Sequence, residues 1–194
     1  MVKIRPLHPE DLPALLHIDA TFTSDGILDV EKTTHGLEVG WRLVERPLDP
    51  PFDRRDAYNL CAKDLREIAA RLERDDTLLL VAEDAGRVVA LLDLEARAWN
   101  HTGWLWTLYV DLAFRGRGIG RRLLARAARW CYEQGLRAII IETQTNNINA
   151  CRFYARMGCF LTGINDTYYS NSDLEQGEVA LFWAYPIDPA RYQR

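Results

Sequence analysis

The sequence predicts an α/β (α+β) fold in which helices flank a central mixed sheet, and it predicts one domain over residues 1–194. Residues 77–98 show a strand, a tight turn and a strand, which is the pattern of an antiparallel hairpin. Residues 104–141 show a strand, a helix and a buried strand, an order that implies a parallel crossover. Apolar residues make up 48% of the chain and charged residues 27%, which is the balance of a globular domain.

The first third of the chain predicts a strand, a helix and a hairpin. Residues 2–6 alternate like a strand, and Pro9, followed by two acidic residues, marks the start of a helix. Two extended segments within residues 27–44 flank a polar turn, which indicates a hairpin. Because proline has no N–H for a strand ladder, we expect a loop after the hairpin, at Pro47, Pro50 and Pro51.

Hydrophobic spacing and glycines predict the remaining elements. Apolar residues at helical spacing indicate amphipathic helices, and Gly135 and Gly158 fit helix C-termini. The run Ala138–Ile141 is apolar throughout, which is typical of a strand buried on both faces. The predicted helices span residues 57–74, 118–134 and 149–157, and the predicted strands span residues 77–83, 87–98, 104–110, 138–141, 159–164 and 179–186.

Composition excludes several classes of function. The net charge of −4 disfavours a nucleic-acid partner, and no apolar run approaches the roughly 20 residues that span a membrane. The N-terminus lacks the apolar core of a signal peptide, so we expect a cytoplasmic protein. Four scattered cysteines without short ligand spacing predict buried, reduced thiols and no metal site.

Glycine recurs in the segment Arg115–Gly120, between a predicted strand and a predicted helix. Such a turn can aim successive backbone N–H groups at one anion, and the helix N-terminus adds its own. A dinucleotide fingerprint would need glycine in place of Arg121, and a nucleoside-triphosphate loop would need lysine there. The segment is therefore a candidate pyrophosphate cradle of another kind. An ordinary glycine-rich turn before a solvated helix is the alternative.

A second motif, N-x-x-A-x-x-x-Y-x-x-x-G followed by an aromatic residue, lies one helix and one strand after the glycine segment. Its residues are Asn147, Ala150, Tyr154, Gly158 and Phe160. Together with the R-x-x-G-x-G pattern of residues 115–120, it resembles the two signatures of the GNAT acetyltransferase superfamily. Two motifs in the required order and at the required separation are far more specific than either motif alone.

The resemblance implies a sheet whose strands splay apart to admit the pantetheine arm of acetyl-CoA, with a coenzyme-binding core at about residues 77–160. It also implies that Tyr154 offers its hydroxyl to the departing thiolate, a role that suits a positioned proton donor. A tyrosine packed in the core is the alternative. The residues implied to bind acetyl-CoA are Leu108, Val110, Arg115, Gly116, Arg117, Gly118, Ile119, Gly120, Arg121, Asn147 and Tyr154.

Further segments resemble the streptothricin (nourseothricin) acetyltransferases, a family that acetylates an amine of the antibiotic's β-lysine moiety. They include Phe22–Asp25, Asp49–Pro51, Glu142–Gln144 and Gly177–Trp183, and they are spread over nearly the whole chain. The resemblance implies direct acetyl transfer to a primary amine of a small cationic substrate, and thus antibiotic resistance. The open alternatives are a polyamine, another aminoglycoside-like cation or a protein N-terminus as acceptor, and a module that binds acetyl-CoA without turnover. The oligomeric state stays open, a homodimer included.

A cationic substrate needs a base, because a lysine-like ammonium has a pKa of about 10.4. Glu142 ends an apolar strand and is the first candidate for this base, with a structural glutamate as the alternative. The other acidic candidates are Asp25, Asp93, Glu95 and Asp166. The expected substrate contacts are Asp25, Trp99, Glu142, Asp166 and Tyr168, and further candidates for aromatic walls include Trp41 and Tyr169.

Overall fold

Nine strands and five α-helices form the regular structure of residues 2–54 and 59–192, the part of the chain that the computed structural model describes. The strands are β1 (Lys3–Pro6), β2 (Phe22–His35), β3 (Glu38–Arg54), β4 (Thr77–Asp84), β5 (Arg87–Arg97), β6 (Thr102–Val110), β7 (Ala138–Gln144), β8 (Phe160–Asn165) and β9 (Ala180–Pro186). The α-helices are α1 (Leu12–Leu15), α2 (Ala62–Leu72), α3 (Ile119–Glu133), α4 (Ile148–Arg156) and α5 (Asp173–Gln176). Short 3₁₀ turns lie at Pro9–Asp11, Leu112–Phe114 and Pro189–Arg191.

The described chain divides into two compact units. The first contains residues 2–21, 59–140 and 186–192, and the second contains residues 22–54 and 141–185. Strand β7 begins in the first unit and ends in the second. The expectation of one domain over residues 1–194 stays a prediction.

A strand covered on both faces organises the first unit. Every residue of β5 from Val88 to Leu94 is buried, and β5 pairs antiparallel with both β4 and β6. Leu91 belongs to an apolar cluster with Leu15 of α1 and Ile68 of α2, while α3 packs against β4, β5 and β6. The layering follows because an apolar strand of this kind needs cover on both faces.

Two antiparallel strand pairs form the sheet structure of the second unit. Strands β2 and β3 make a long hairpin, β8 pairs with β9, and β9 also neighbours β7. Helix α4 packs against β2, where Nδ2 of Asn149 donates to the carbonyl of Thr23 at 2.9 Å. The N–H of Leu28 donates to the carbonyl of Thr145 at 3.0 Å. These bonds tie the hairpin to the segment that follows β7.

The predicted fold class is confirmed, since a mixed, mostly antiparallel sheet is flanked by helices. The predicted elements between residues 77 and 134 begin and end within two residues of the observed strands and helix. Their apolar patterns are long and regular, and short connections separate them, which makes element type easy to infer.

The predicted proline-rich loop is wrong, because β3 continues through these residues to Arg54. The register jumps from Gly26 opposite Pro47 to Ser24 opposite Phe52, so residues 48–51 lie in an irregularity of the ladder. Strand pairing tolerates proline where no ladder N–H is required, at bulges and edges. Periodicity alone did not reveal a strand with such an interruption.

Two helix predictions also need correction. The helix predicted from Pro9 begins as a 3₁₀ turn and continues only as the four-residue α1. The helix predicted over residues 57–74 is observed as α2, Ala62–Leu72, and residues 57 and 58 lie outside the described residues. The sequence did not reveal α5, which is a single turn.

Three of the four cysteines are buried thiols, as predicted. Burial raises the pKa of Cys131 and of Cys159 to about 12, and that of Cys151 to about 11. The prediction is wrong for Cys61, which is exposed at the start of α2. The described residues contain no group of three or more His, Cys, Asp or Glu that could hold a metal ion. None of their helices is long and apolar enough to cross a membrane.

A buried ion pair joins α2 to β5 in the first unit. Asp93 is fully buried, and both of its oxygens accept from Nε of Arg71, at 2.9 and 3.1 Å. A second guanidinium nitrogen lies 2.7 Å from Oδ2. Burial raises the pKa of Asp93, and the Arg71 hydrogen bonds oppose that rise. Asp93, a candidate acid of the substrate pocket, is thus engaged by Arg71.

Replacing Arg71 with methionine leaves the Asp93 carboxylate buried without its cation. We expect Arg71→Met to lower the free energy of unfolding by about 3–5 kcal/mol. The matched control is Lys63→Met on the same helix, where an exposed i,i+4 pair with Glu67 is lost and the expected change is within about 0.5 kcal/mol. Urea denaturation measures both, and equal effects of the two variants would contradict the assignment.

Candidate functional site

The glycine segment of the first unit curls between β6 and α3. Gly116 and Gly118 have φ of +76° and +74°, in the left-handed region that favours glycine. A Cβ built at either position would meet nothing within 4 Å, so the backbone faces open space on that side. Helix α3 then begins at Ile119, which is 2% exposed and anchors the helix start in the core. Ile119 therefore fixes the C-terminal end of the turn, and the side of the turn at Gly116 and Gly118 is open.

Donors converge on this turn. The first N–H groups of an α-helix have no partner within the helix and carry its positive dipole end, and α3 has 15 residues. Arg115, Arg117 and Arg121 are exposed beside them. The Arg117 guanidinium donates to the carbonyl of Ala113 at 3.2 Å and lies over the Phe114 ring. This combination of N–H groups and guanidinium groups is suited to a phosphate anion.

Asp111 fixes the connection between β6 and the glycine segment. It is 2% exposed, and its carboxylate accepts from the N–H of Ala113 at 3.0 Å and from Arg87 at 2.6 Å. The carboxylates of Asp111 and Asp19 also interact electrostatically with Arg115. Asp111 thus anchors the N-terminal side of the glycine segment, and Asp111 and Asp19 partly offset the positive charge of its arginines.

The C-terminal end of β6 contains the two residues expected to pair with the pantetheine arm. Leu108 lies opposite Leu92 and Val110 lies opposite Ala90 in the β5–β6 ladder. The carbonyl of Val110 accepts from Nε of Arg115 at 3.0 Å. One of the backbone groups expected to bind the coenzyme is therefore used by an arginine of the cradle.

In the second unit, Asn147 and Tyr154 lie at the start and near the end of α4. Oδ1 of Asn147 caps the helix by accepting from the N–H of Ala150 at 3.1 Å, so its amide nitrogen remains as the group that can donate to a ligand. Tyr154 is 7% exposed and packs edge-on against Phe153. The motif therefore places a helix cap and a buried phenol one helix length apart.

Glu142 lies in β7 and is half-buried. The Tyr169 hydroxyl donates a hydrogen bond to its Oε1. Burial raises the pKa of Glu142, the Tyr169 hydrogen bond opposes the rise, and the carboxylate of Glu178 adds to it. Glu178 itself is paired with Arg54. Among the described residues, no cation is paired with Glu142, and a carboxyl group with a raised pKa is suited to proton transfer near neutral pH.

The other predicted acids of the second unit already have cationic partners. Asp25 is exposed and pairs with Arg152 at 3.2 Å. Asp166 pairs with Lys32 at 2.5 Å, and this ion pair lowers the pKa of Asp166. The Lys32 ammonium also lies 5.6 Å from the centroid of the Trp41 ring. Glu142 is thus the predicted substrate acid of this unit that lacks a cationic partner in the described chain.

Two aromatic candidates have different environments. Tyr168 packs edge-on against Phe182 and against Tyr169 in the second unit. Trp99 is 82% exposed in the turn after β5 and belongs to the first unit. The acid Glu95, another candidate, accepts from the indole N–H of Trp106 at 2.7 Å and pairs with Arg74.

Sequence reasoning missed the partners of these acids. Each of these partners is distant in the chain from its acid. Lys32 lies 134 residues from Asp166, Arg54 lies 124 residues from Glu178, and Arg152 lies 127 residues from Asp25. Tyr169 was expected only as an aromatic wall, whereas its hydroxyl contacts Glu142. No local pattern in the sequence indicates these pairings.

Comparison with known proteins gives consistent matches. The sequence model of the acetyltransferase (GNAT) family matches residues 41–159. A streptothricin acetyltransferase from Streptomyces lavendulae is 29% identical over 185 residues, which is 95% of this chain and 94% of the relative. A streptothricin acetyltransferase from Escherichia coli is 27% identical over 175 residues, covering 90% and 91% of the two chains.

Solved structures agree with these sequence matches. The crystal structure of a nourseothricin acetyltransferase superposes with a TM-score of 0.78 at 26% identity, covering 96% of this chain and 99% of that one. A Bacillus anthracis str. Ames protein in complex with acetyl coenzyme A gives a TM-score of 0.76 at 22% identity with the same coverage. At 22% identity, the second match supports the fold alone.

Proposed function

Since the chain belongs to the acetyltransferase (GNAT) family and is an acetyl-CoA-dependent N-acetyltransferase, we propose that its acceptor is a primary amine of a streptothricin-type antibiotic. The favoured amine is that of the β-lysine moiety. The similarity to two streptothricin acetyltransferases, which extends over 90% or more of each chain, supports this acceptor class. A cytoplasmic location and a homodimer remain predictions.

The observation that carries the proposed chemistry is the environment of Glu142, a half-buried carboxylate beside Tyr169 with no cationic partner in the described chain. Deprotonating a lysine-like ammonium at pH 7 costs about 4–5 kcal/mol. Glu142 takes that proton, which frees the nitrogen lone pair for attack. Its raised pKa brings its proton affinity closer to that of the amine.

The cosubstrate, when bound, supplies the acetyl group as a reactive thioester. The open turn with its N–H groups fits the pyrophosphate, and we assign this role to the backbone of residues 115–121, with Leu108, Val110 and Asn147 contacting the pantetheine arm. Tyr154 donates its hydroxyl proton to the sulfur as the carbon–sulfur bond breaks. Tyr154 is 7% exposed and thus largely shielded from water, which suits it to this proton transfer.

An assay of coenzyme A thiol release tests the acceptor. With acetyl-CoA and streptothricin, we expect release to require the antibiotic and mass spectrometry to show a monoacetylated product. Tyr154→Phe should lower kcat strongly and leave the affinity for acetyl-CoA nearly unchanged. If thiol release occurs with a polyamine, an aminoglycoside or an N-terminal peptide but not with streptothricin, the proposed acceptor is wrong and that amine takes its place. Coenzyme binding without release from any acceptor would indicate a non-catalytic module.

Gly118→Ala tests the cradle. Forcing a Cβ into the left-handed region costs about 1–2 kcal/mol, so the turn should change shape and the KM for acetyl-CoA should rise by about tenfold. Gly135→Ala is the matched control, since Gly135 follows the other end of α3, has a φ of +67° and also borders open space. We expect similar losses of stability in the two variants, but an altered KM only for Gly118→Ala. Equal KM values would reject the cradle.

Glu142→Gln tests the base. Protonated Glu142 cannot accept a proton, so kcat/KM of the parent enzyme should fall as the pH decreases through the raised pKa of Glu142. The glutamine variant should lose this acid limb and about 10²-fold or more of kcat/KM. Glu175→Gln, at an exposed position of α5, is the control and should keep the parent profile. An acid limb that survives in Glu142→Gln would assign the base elsewhere.

A further inference from the structure

The Tyr169 hydroxyl and Oε1 of Glu142 form a contact between a loop and β7, both in the second unit. We propose that Tyr169 is a positioning residue that orients the carboxylate of Glu142 for proton removal from the acceptor amine. This inference rests on the proposed role of Glu142 as the base. It adds to the two family motifs a residue that lies outside both of them.

The loop that contains Tyr169 is fixed by one buried carboxylate. Asp173 is 1% exposed and accepts from the N–H of Tyr169 at 3.0 Å and from the N–H and hydroxyl of Ser170, each at 2.7 Å. The Tyr168 ring packs edge-on against the Tyr169 ring, with centroids 5.2 Å apart. Tyr169 therefore reaches Glu142 from a backbone that is already ordered, which is what a positioning group requires.

The hydrogen bond distinguishes the two carboxylate oxygens. Oε1 accepts from Tyr169, whereas Oε2 has no hydrogen-bond donor within the described residues. A carboxylate held through one oxygen has a defined orientation for the other, and a general base works only when its accepting atom points at the proton. Oε2 is accordingly the atom that takes the proton.

A neutral donor suits this task better than a cation. An Arg or Lys beside Glu142 would lower its pKa strongly and weaken it as a base. Arg54 is paired with Glu178 and is not among the groups that shift the pKa of Glu142. Within the described residues, the Glu178 carboxylate and the Cys151 thiol also interact electrostatically with Glu142, and the pKa of Cys151, about 11, keeps its thiol neutral near pH 7. The Tyr169 phenol orients the carboxylate and offsets part of the rise in its pKa that burial causes, and it does so without neutralising the charge of Glu142.

Tyr169→Phe removes the hydroxyl and keeps the ring. Because the hydrogen bond opposes the rise in the pKa of Glu142, its loss should move the acid limb of kcat/KM to higher pH. We also expect kcat to fall about tenfold at neutral pH, partial recovery at higher pH, and an unchanged KM for acetyl-CoA. Tyr185→Phe in β9 is the matched control and should keep the parent profile. A tyrosine with only a structural role would lower the unfolding temperature and leave the acid limb in place, which would overturn the proposal.

The double variant Glu142→Gln with Tyr169→Phe gives a second measurement. If Tyr169 acts through Glu142, the tyrosine change should have little further effect on kcat in the Glu142→Gln background. Additive losses would overturn the positioning role. Failure of the base itself is a separate result, because Glu142→Gln alone would then keep its acid limb. A lost limb in Glu142→Gln together with an unmoved limb in Tyr169→Phe would reject only the inference about Tyr169.

Discussion

Burial of β5 on both faces is the constraint on which the first unit depends. Seven consecutive buried residues, Val88 to Leu94, require α1 and α2 on one side and α3 on the other. The β5–β6 ladder then fixes where β6 ends, and Ile119 seats the start of α3 in the same core. The glycine segment between these two fixed points needs little ordering of its own. In the proposed cradle, its N–H groups would need little reordering on binding an anion, and such preorganisation lowers the entropic cost of binding.

In the second unit, cationic partners distinguish the other predicted substrate acids from Glu142. Asp25 shares Arg152 with Glu45, and Asp166 pairs with Lys32. Glu142 is half-buried and contacts a neutral phenol instead. Partial burial of a carboxylate that has no cation beside it is destabilising, and natural proteins keep such destabilising features at functional sites. The distribution of partners, more than the number of acids, therefore supports Glu142 as the base.

Local sequence was sufficient to predict a feature when all of its residues lie in one short segment of the chain. The cradle and α3 were predicted because glycines at left-handed positions, the helix start and the apolar stripe of the helix are consecutive in the chain. The predicted coenzyme-binding residues are continuous with these elements, and their roles stay proposals. By contrast, the prolines of β3 gave the wrong element, because a strand can pass through an irregular register that only its partner strand reveals.

The sequence by itself determined the fold class, the family signatures and the candidate acids, because these depend on spacing within short segments. Only the tertiary structure decided which of these candidate acids lie beside a cation and which one has no cationic partner within the described residues. Asp93 could not be distinguished from Glu142 by composition or periodicity, yet it is fully buried against Arg71. Tyr169 gained its partner only through folding. A side chain's charge state and orientation depend on neighbours that are distant in the chain, and local patterns carry no record of them.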